Sequence, residues 1–279
     1  MHALPFLVSF SFALALAPTL LRELARAGHT AANYRGRQLP CPVGVLILAA
    51  ALAASIPLLL LARLGHVALF HPEIAPIALY AIGVICLGLI DDTLASGNAG
   101  SAPRGLRGHA AAALRGERST GVLKALGSLV LALVALGQLG LSEGRWLLAA
   151  GVLVLCTNVF NLLDLRPGRA IKTLVLLGAT LMAGSANVRP LWSLGLLGGP
   201  ALVAGGYDLR ERAMLGDTGA SLLGALGGLW IVLTLGATAQ LVALALLAMI
   251  TLYGEFRSIS RLLERMPVLR GLDSLGRPS

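Results

Sequence analysis

The chain has 279 residues, 57% of them hydrophobic and only 13% charged, against about a quarter charged in soluble domains. That composition excludes an ordinary soluble domain and predicts an all-α, polytopic transmembrane helical bundle, whose length is counted in spans of roughly 20 apolar residues. The net charge of +9 follows from membrane topology, so no nucleic-acid partner is expected.

Nine apolar runs are predicted to cross the membrane: 3–21, 42–62, 74–90, 122–140, 146–163, 171–186, 191–206, 218–235 and 238–256. The first has no basic leader and no small-residue cleavage site after it, so it reads as a retained helix. The runs 171–186 and 191–206 are short enough to be tilted, broken or partly re-entrant. With the N-terminus outside, the segments 22–41, 91–121, 164–172, 207–217 and 257–279 face the cytoplasm. Together with Lys124, one turn into the fourth run, they carry all the Lys and Arg residues except Arg63, Arg145 and Arg189. So lopsided a distribution sets the orientation. It leaves residues 1–256 as a single transmembrane domain and 257–279 as a cytoplasmic tail. Cys41, Cys86 and Cys156 lie in or beside apolar stretches without metal-ligand spacing and read as small core residues.

The polar residues that interrupt this pattern gather on the cytoplasmic side. The third run ends LGLIDD, placing Asp91 and Asp92 together at a helix C-terminus, where the macrodipole disfavours negative charge. A bound cation or a proton-transfer role would offset that cost. Lys124 lies inside a span and calls for a phosphate or carboxylate partner. The fifth run closes on TNVFNLLD, with Asn158, Asn161 and Asp164 three apart on one drifting helical face. Amides there are costly unless paired. Asp217, in MLGDTGASLLG, precedes the eighth run and by local rules is a helix N-cap. Yet topology sets it beside Asp91, Asp92 and Asp164, and such a carboxylate set suits Mg²⁺ carrying a phosphorylated substrate. Arg35, in NYRGRQLP, and Arg104, Arg107 and His109, in RGLRGH, lie in loops where Arg forks and glycine could meet phosphate.

The ordered set formed by GLIDD, an Arg/Gly loop, a Lys early in the next helix, NxxNxxD and GDTGASLLG resembles the polyprenyl-phosphate N-acetylhexosamine-1-phosphate transferases. The resemblance covers roughly residues 20–256. It implies Mg²⁺-dependent transfer of a sugar-1-phosphate, GlcNAc-1-phosphate first among them, from a UDP-sugar to a polyprenyl phosphate with release of UMP. Mn²⁺ is the alternative ion. The setting it implies is cell-envelope glycan synthesis at a bacterial inner membrane, with a cytoplasmic active site and a homodimer. By motif position, Asp91, Asp92, Asp164 and Lys124 carry over as catalytic residues and Asp217 with Asp92 as metal ligands. Asn158 and Asn161 carry over to the nucleotide-sugar region. Two departures stand out. Pro167 replaces the second Asp of the family's Asp-Gly-x-Asp-Gly run, and the tail has none of the family's late histidines. Arg166 and Arg169 are expected to supply the missing phosphate contacts. The rival readings are a non-catalytic binder of lipid phosphate or nucleotide sugar, and a polytopic transporter. A transporter would more naturally place ionisable groups near mid-bilayer.

Overall fold

A computed structural model describes residues 1–95 and 120–277. Long apolar runs become helices because hydrocarbon offers the backbone no other hydrogen-bond partner. Among the described residues, seven helices are long and apolar enough to cross a membrane. They lie in α1 (Leu4–Arg26), α2 (Gly44–Leu64), α3 (Ile74–Ala95), α4 (Thr120–Leu136, continued by one 3₁₀ turn), α5 (Glu143–Leu163), α9 (Gly216–Thr234) and α10 (Ala237–Phe256). The two runs expected to be irregular form shorter helices, α6 (Arg169–Ser185) and, after a five-residue helix α7 (Arg189–Ser193), α8 (Gly195–Leu209). Pro18, Pro57 and Pro200 lie inside helices, as packed membrane helices tolerate.

Helix α9 is the axis of the bundle and packs against α2, α3, α5 and α6. Its spanning window is 83% buried, against 11% for α10 at the periphery. Small residues explain the position. Between helices in lipid, close packing replaces the hydrophobic drive, and glycine lets backbones approach. A Cβ on Gly44 would lie 2.3 Å from the Gly219 nitrogen, and one on Gly224 would lie 2.5 Å from the Thr157 Cα. Nearby, the fully buried Tyr80 on α3 shares its hydroxyl with Ser128 of α4 (3.1 Å) and Thr157 of α5 (3.2 Å), so three helices meet at one polar knot.

Two features depart from a plain bundle with a free tail. The Arg/Gly loop after α1 is a hairpin of β1 (Thr30–Ala32) and β2 (Gln38–Pro40), antiparallel with Ala31 opposite Leu39. Asn33 Oδ1 closes its turn by accepting the Arg35 and Arg37 N–H groups at 2.9 and 3.0 Å. The tail, in turn, forms α11 (Ile259–Arg265) and α12 (Pro267–Ser274). It is fastened to the turn between α5 and α6 by Arg277, whose Nε donates to the Pro167 carbonyl at 2.7 Å.

Candidate functional site

The C-terminal ends of α3 and α5 and the N-terminal ends of α4 and α9 meet at one end of the bundle. Five of the residues singled out in the sequence, Asp91, Lys124, Asn158, Asn161 and Asp217, line a single cavity of about 280 Å³ there. Lys124 reaches Asp217 at 2.9 Å and Asp91 at 3.3 Å. Lys124 therefore bridges the two carboxyls. One ammonium thus offsets two carboxylates that would otherwise repel, which answers the demand of Lys124 for an anionic partner. Asn158 Nδ2 donates to Thr251 on α10 (3.2 Å), and Asn161 Oδ1 accepts from Ser221 on α9 (3.2 Å), so both amides are paired.

Asp92 stands differently from its neighbour. Its Oδ1 accepts the Asp217 N–H at 2.9 Å, and its Oδ2 accepts the Thr218 N–H at 2.8 Å and the Thr218 hydroxyl at 2.5 Å. Helix α9 has no side-chain cap of its own, so Asp92 caps it from another helix. Gly88, one turn earlier on α3, permits this, since a Cβ there would lie 2.6 Å from the Asp217 carbonyl oxygen. Gly216 is held at φ +69°, where a side chain would also strike Asp92. The cap expected from Asp217 therefore comes from Asp92, and the Asp217 carboxylate turns to Lys124. Asp92 thereby holds the start of α9, and with it Asp217, in place.

Asp164 closes α5 as its C-cap. Burial, then the Asp208, Asp217 and Asp92 carboxylates, push its carboxyl well above the usual range, with Lys124 opposing. Burial and the same acids raise the Cys41 thiol to about 12, which rules it out as a thiolate nucleophile near neutrality. Cys156 is buried, but Cys86 is exposed on the flank of α3 rather than in the core.

The arginines are placed less as expected. Arg169 is 3% exposed, and its guanidinium is engaged by Asp273 (2.7 and 2.9 Å) and Ser260 (2.7 Å). It holds the tail, which departs from the phosphate contact expected of it. Arg166 pairs with Glu264 at 2.7 Å and lies 4.8 Å from the Tyr34 ring centroid. Arg35 stacks on the same ring at 5.3 Å and approaches Glu211 at 3.6 Å. Arg104, Arg107 and His109 lie outside the described residues.

Three acids not foreseen complete the surroundings. Glu211, whose side chain is fully buried, accepts from Asn33 (3.1 Å) and Tyr34 (3.2 Å) and so clips the hairpin to the segment before α9. Asp208 accepts the Gly168 N–H at 2.7 Å and orients the turn into α6. Glu255 joins the cavity wall. Asp208 and Glu211 sit in YDLRER, where neighbouring cations make the stretch look like solvated surface.

Among the described residues no three His, Cys, Asp or Glu side chains converge as a metal cage. Mg²⁺ needs no such cage. It is commonly held by one or two carboxylates plus substrate phosphates, and Asp91 and Asp217, gathered by Lys124 on one cavity, supply that donor set. Replacing Lys124 by methionine leaves this pair without its ammonium. Breaking a buried pair costs about 3–5 kcal/mol, and the 40% exposure of Asp217 reduces this to roughly 2 kcal/mol. Thermal unfolding in metal-free detergent buffer is expected to show the loss. Millimolar Mg²⁺ is expected to raise the melting temperature of the variant more than that of the wild type. Equal Mg²⁺ responses would argue against a cation site at this pair. No protein-family model and no curated protein sequence matches this chain.

Proposed function

We propose that this chain is a membrane phosphoglycosyltransferase that moves a sugar-1-phosphate from a UDP-sugar to a polyprenyl phosphate and releases UMP. The observation that supports this reading is the convergence of Asp91, Lys124, Asn158, Asn161 and Asp217 on one cavity between helix ends. Charged groups gathered at a membrane-embedded cavity, rather than scattered over a solvated face, call for a charged reactant. The cavity is just below the roughly 300–1,000 Å³ of pockets that enclose whole ligands. It suits the reacting diphosphate, with the nucleoside and sugar lying toward the open end.

In the proposed reaction an oxygen of the lipid phosphate attacks the sugar-linked β-phosphorus. The new P–O bond forms as the anhydride bond to the α-phosphate breaks, and UMP leaves with the bonding electron pair. Asp91 receives the proton of the lipid phosphate where that group is still protonated, or otherwise orients the attacking oxygen. Lys124 passes its charge from the carboxylates to the diphosphate as substrate enters. Asn158 and Asn161 hydrogen-bond the nucleotide-sugar portion. Asp92 fixes Asp217 by holding the start of α9. Mg²⁺ bound by Asp217 and Asp91 would neutralise charge on the diphosphate. A bacterial inner membrane, a cytoplasmic active site, nine spans and a homodimer belong to the same proposal.

The test is turnover of purified protein with radiolabelled UDP-GlcNAc, undecaprenyl phosphate and Mg²⁺, followed by a panel of other UDP-sugars. Labelled lipid and UMP are expected to appear only with metal. Asp91→Asn and Asp217→Asn are each expected to lower the rate by about 10²-fold or more. Silence across the panel, with active transferases as controls, would leave a non-catalytic binder.

A further inference from the structure

A groove of about 240 Å³ lies between α1 and α8, and it shares no lining residue with the acidic cavity. One end of it is apolar, lined by Phe10 and Leu14 of α1 and Leu202 of α8. Leu14 and Leu202 are 51% and 36% exposed. Apolar side chains this open on apolar helices meet lipid, so the groove opens sideways to the bilayer. The other end is lined by Tyr207, Arg210 and Arg212. Arg210 follows Leu202 by eight residues, about 12 Å along the helix axis. It stands at the end of the bundle where α9 begins and the acids gather.

The way α8 ends puts both arginines in the groove. The Glu211 N–H donates to the Asp208 carbonyl at 2.9 Å and the Arg212 N–H to the Tyr207 carbonyl at 3.0 Å, which folds the chain back over the last turn of α8. This stop needs one left-handed residue, a place that glycine usually takes because a side chain there is strained. Here Glu211 takes it, at φ +52°. Its carboxylate is committed to the hairpin, where it accepts from Asn33 and Tyr34 and meets Arg35 and Arg37. The acid between the two arginines therefore does not line the groove and does not neutralise them. Arg210 Nη1 leans on the Gly206 carbonyl at 3.5 Å, and neither guanidinium meets a carboxylate among the described residues. Backbone strain that sets two cations at the mouth of a lipid-facing groove is a sign of a ligand clamp. Basic pockets between membrane helices suit anionic lipid heads, and a soluble anion would leave the apolar end of this groove unused.

We infer that the groove binds an anionic phospholipid, its phosphate between Arg210 and Arg212 and the start of one acyl chain along Leu202, Leu14 and Phe10. The site stands whether or not the chain is a transferase, because its occupancy is read without turnover.

The experiment uses the full chain in phosphatidylcholine nanodiscs holding a small fraction of phosphatidylglycerol. Lipid kept after mild detergent extraction is counted by mass spectrometry. Phosphatidylglycerol is expected to be enriched roughly 10- to 30-fold over phosphatidylcholine, the effect of two guanidiniums at one head group. The double change Arg210→Gln with Arg212→Gln is expected to bring the ratio close to that of the input. Gly206→Leu is expected to do the same by filling the groove. A Cβ at Gly206 meets only the Arg210 Nη1, at 3.5 Å, so the added side chain disturbs no helix contact. Leu202→Trp repeats the filling should Gly206→Leu fold poorly. Arg257→Gln with Arg261→Gln removes as much charge from the tail and is expected to leave the enrichment intact. Melting temperatures are expected to stay near wild type throughout. Equal retention of the two lipids overturns the site, as does enrichment that survives the arginine pair or both fillings. An equal loss in the tail variant also overturns it, by showing a general surface attraction. Displacement of phosphatidylglycerol by millimolar inorganic phosphate would make the groove a soluble-anion pocket instead, and displacement by an equal amount of polyprenyl phosphate would make it an acceptor channel; either result overturns the assignment.

Discussion

Asp92→Ala is expected to destabilise the bundle by about 3 kcal/mol, well beyond Asp91→Ala, although the two acids are adjacent. Its carboxylate serves three donors, two from the backbone and one hydroxyl, at the start of the most buried helix. Loss of an N-cap costs about 0.5–2 kcal/mol, and each hydrogen bond to a charged acceptor contributes roughly 1.5–3 kcal/mol. Water reaching the half-buried site recovers part of that, which gives the intermediate figure. The negative charge also suits the positive end of the α9 dipole. Asp92→Asn keeps one acceptor and loses the charge, so about half the effect is expected.

Denaturation of the detergent-solubilised variants, followed by helix signal, tests the order Ala worse than Asn worse than wild type. Gly88→Ala supplies an independent arm. A Cβ there meets the Asp217 oxygen at 2.6 Å and the Thr218 Cα at 2.7 Å, so α3 must retreat and lengthen the same three bonds with the carboxylate intact. If Asp91→Ala proves as damaging as Asp92→Ala, Asp92 is not the cap. The consequence for activity is direct. A loss of turnover on changing Asp92 would be expected through displacement of Asp217, and would accompany lost stability rather than stand alone.

The distinction between Asp91 and Asp92 was not legible in the sequence. Apolar runs locate helices because lipid leaves no other way to satisfy the backbone, and the helix ends bearing Asp91, Lys124, Asn161 and Asp217 do gather as the one-sided distribution of cations suggests. Capping rules, however, search the residues just before a helix, and the acid that caps α9 lies 125 positions away from Asp217. Arg169 was misread for the same reason. It was expected to replace the phosphate contacts of absent histidines, but its partner Asp273 stands 104 positions later, in the tail. The hairpin escaped because its strands are three residues each, fixed by Asn33 and Glu211 rather than by alternation. The segments α6 and α8 were marked as irregular by their length, and at 17 and 15 residues neither exceeds α4, which gains a further 3₁₀ turn at its end.

Asp273→Ala is expected to release the tail from the bundle. One carboxylate there balances two guanidiniums, from Arg169 (3% exposed) and Arg277 (8% exposed). Arg169 binds it bidentately. Removing the acid strands two cations in a protein-lined niche, a change that costs about 3–5 kcal/mol. The chain can relieve that cost by swinging α11 and α12 into solvent, so the undocked population is expected to rise about 100-fold. Trypsin reads this directly through faster cleavage at Arg257, Arg261, Arg265 and Arg270. Burial works against the Asp273 charge, but hydrogen bonds from Arg169 and Arg277, and then their charges, outweigh it and hold the carboxyl below the usual range. A depressed carboxyl stabilises the docked state fully above its unfolded value, about 4, and that contribution fades as the pH falls toward the folded value. The wild-type tail is therefore expected to stay docked at neutral pH and loosen only below about pH 4, whereas Asp273→Asn is expected to be loose at both. A tail equally resistant to protease in wild type and Asp273→Ala would mean that Arg169 finds another partner and that α12 is held by its apolar contacts with α6 and α8 alone.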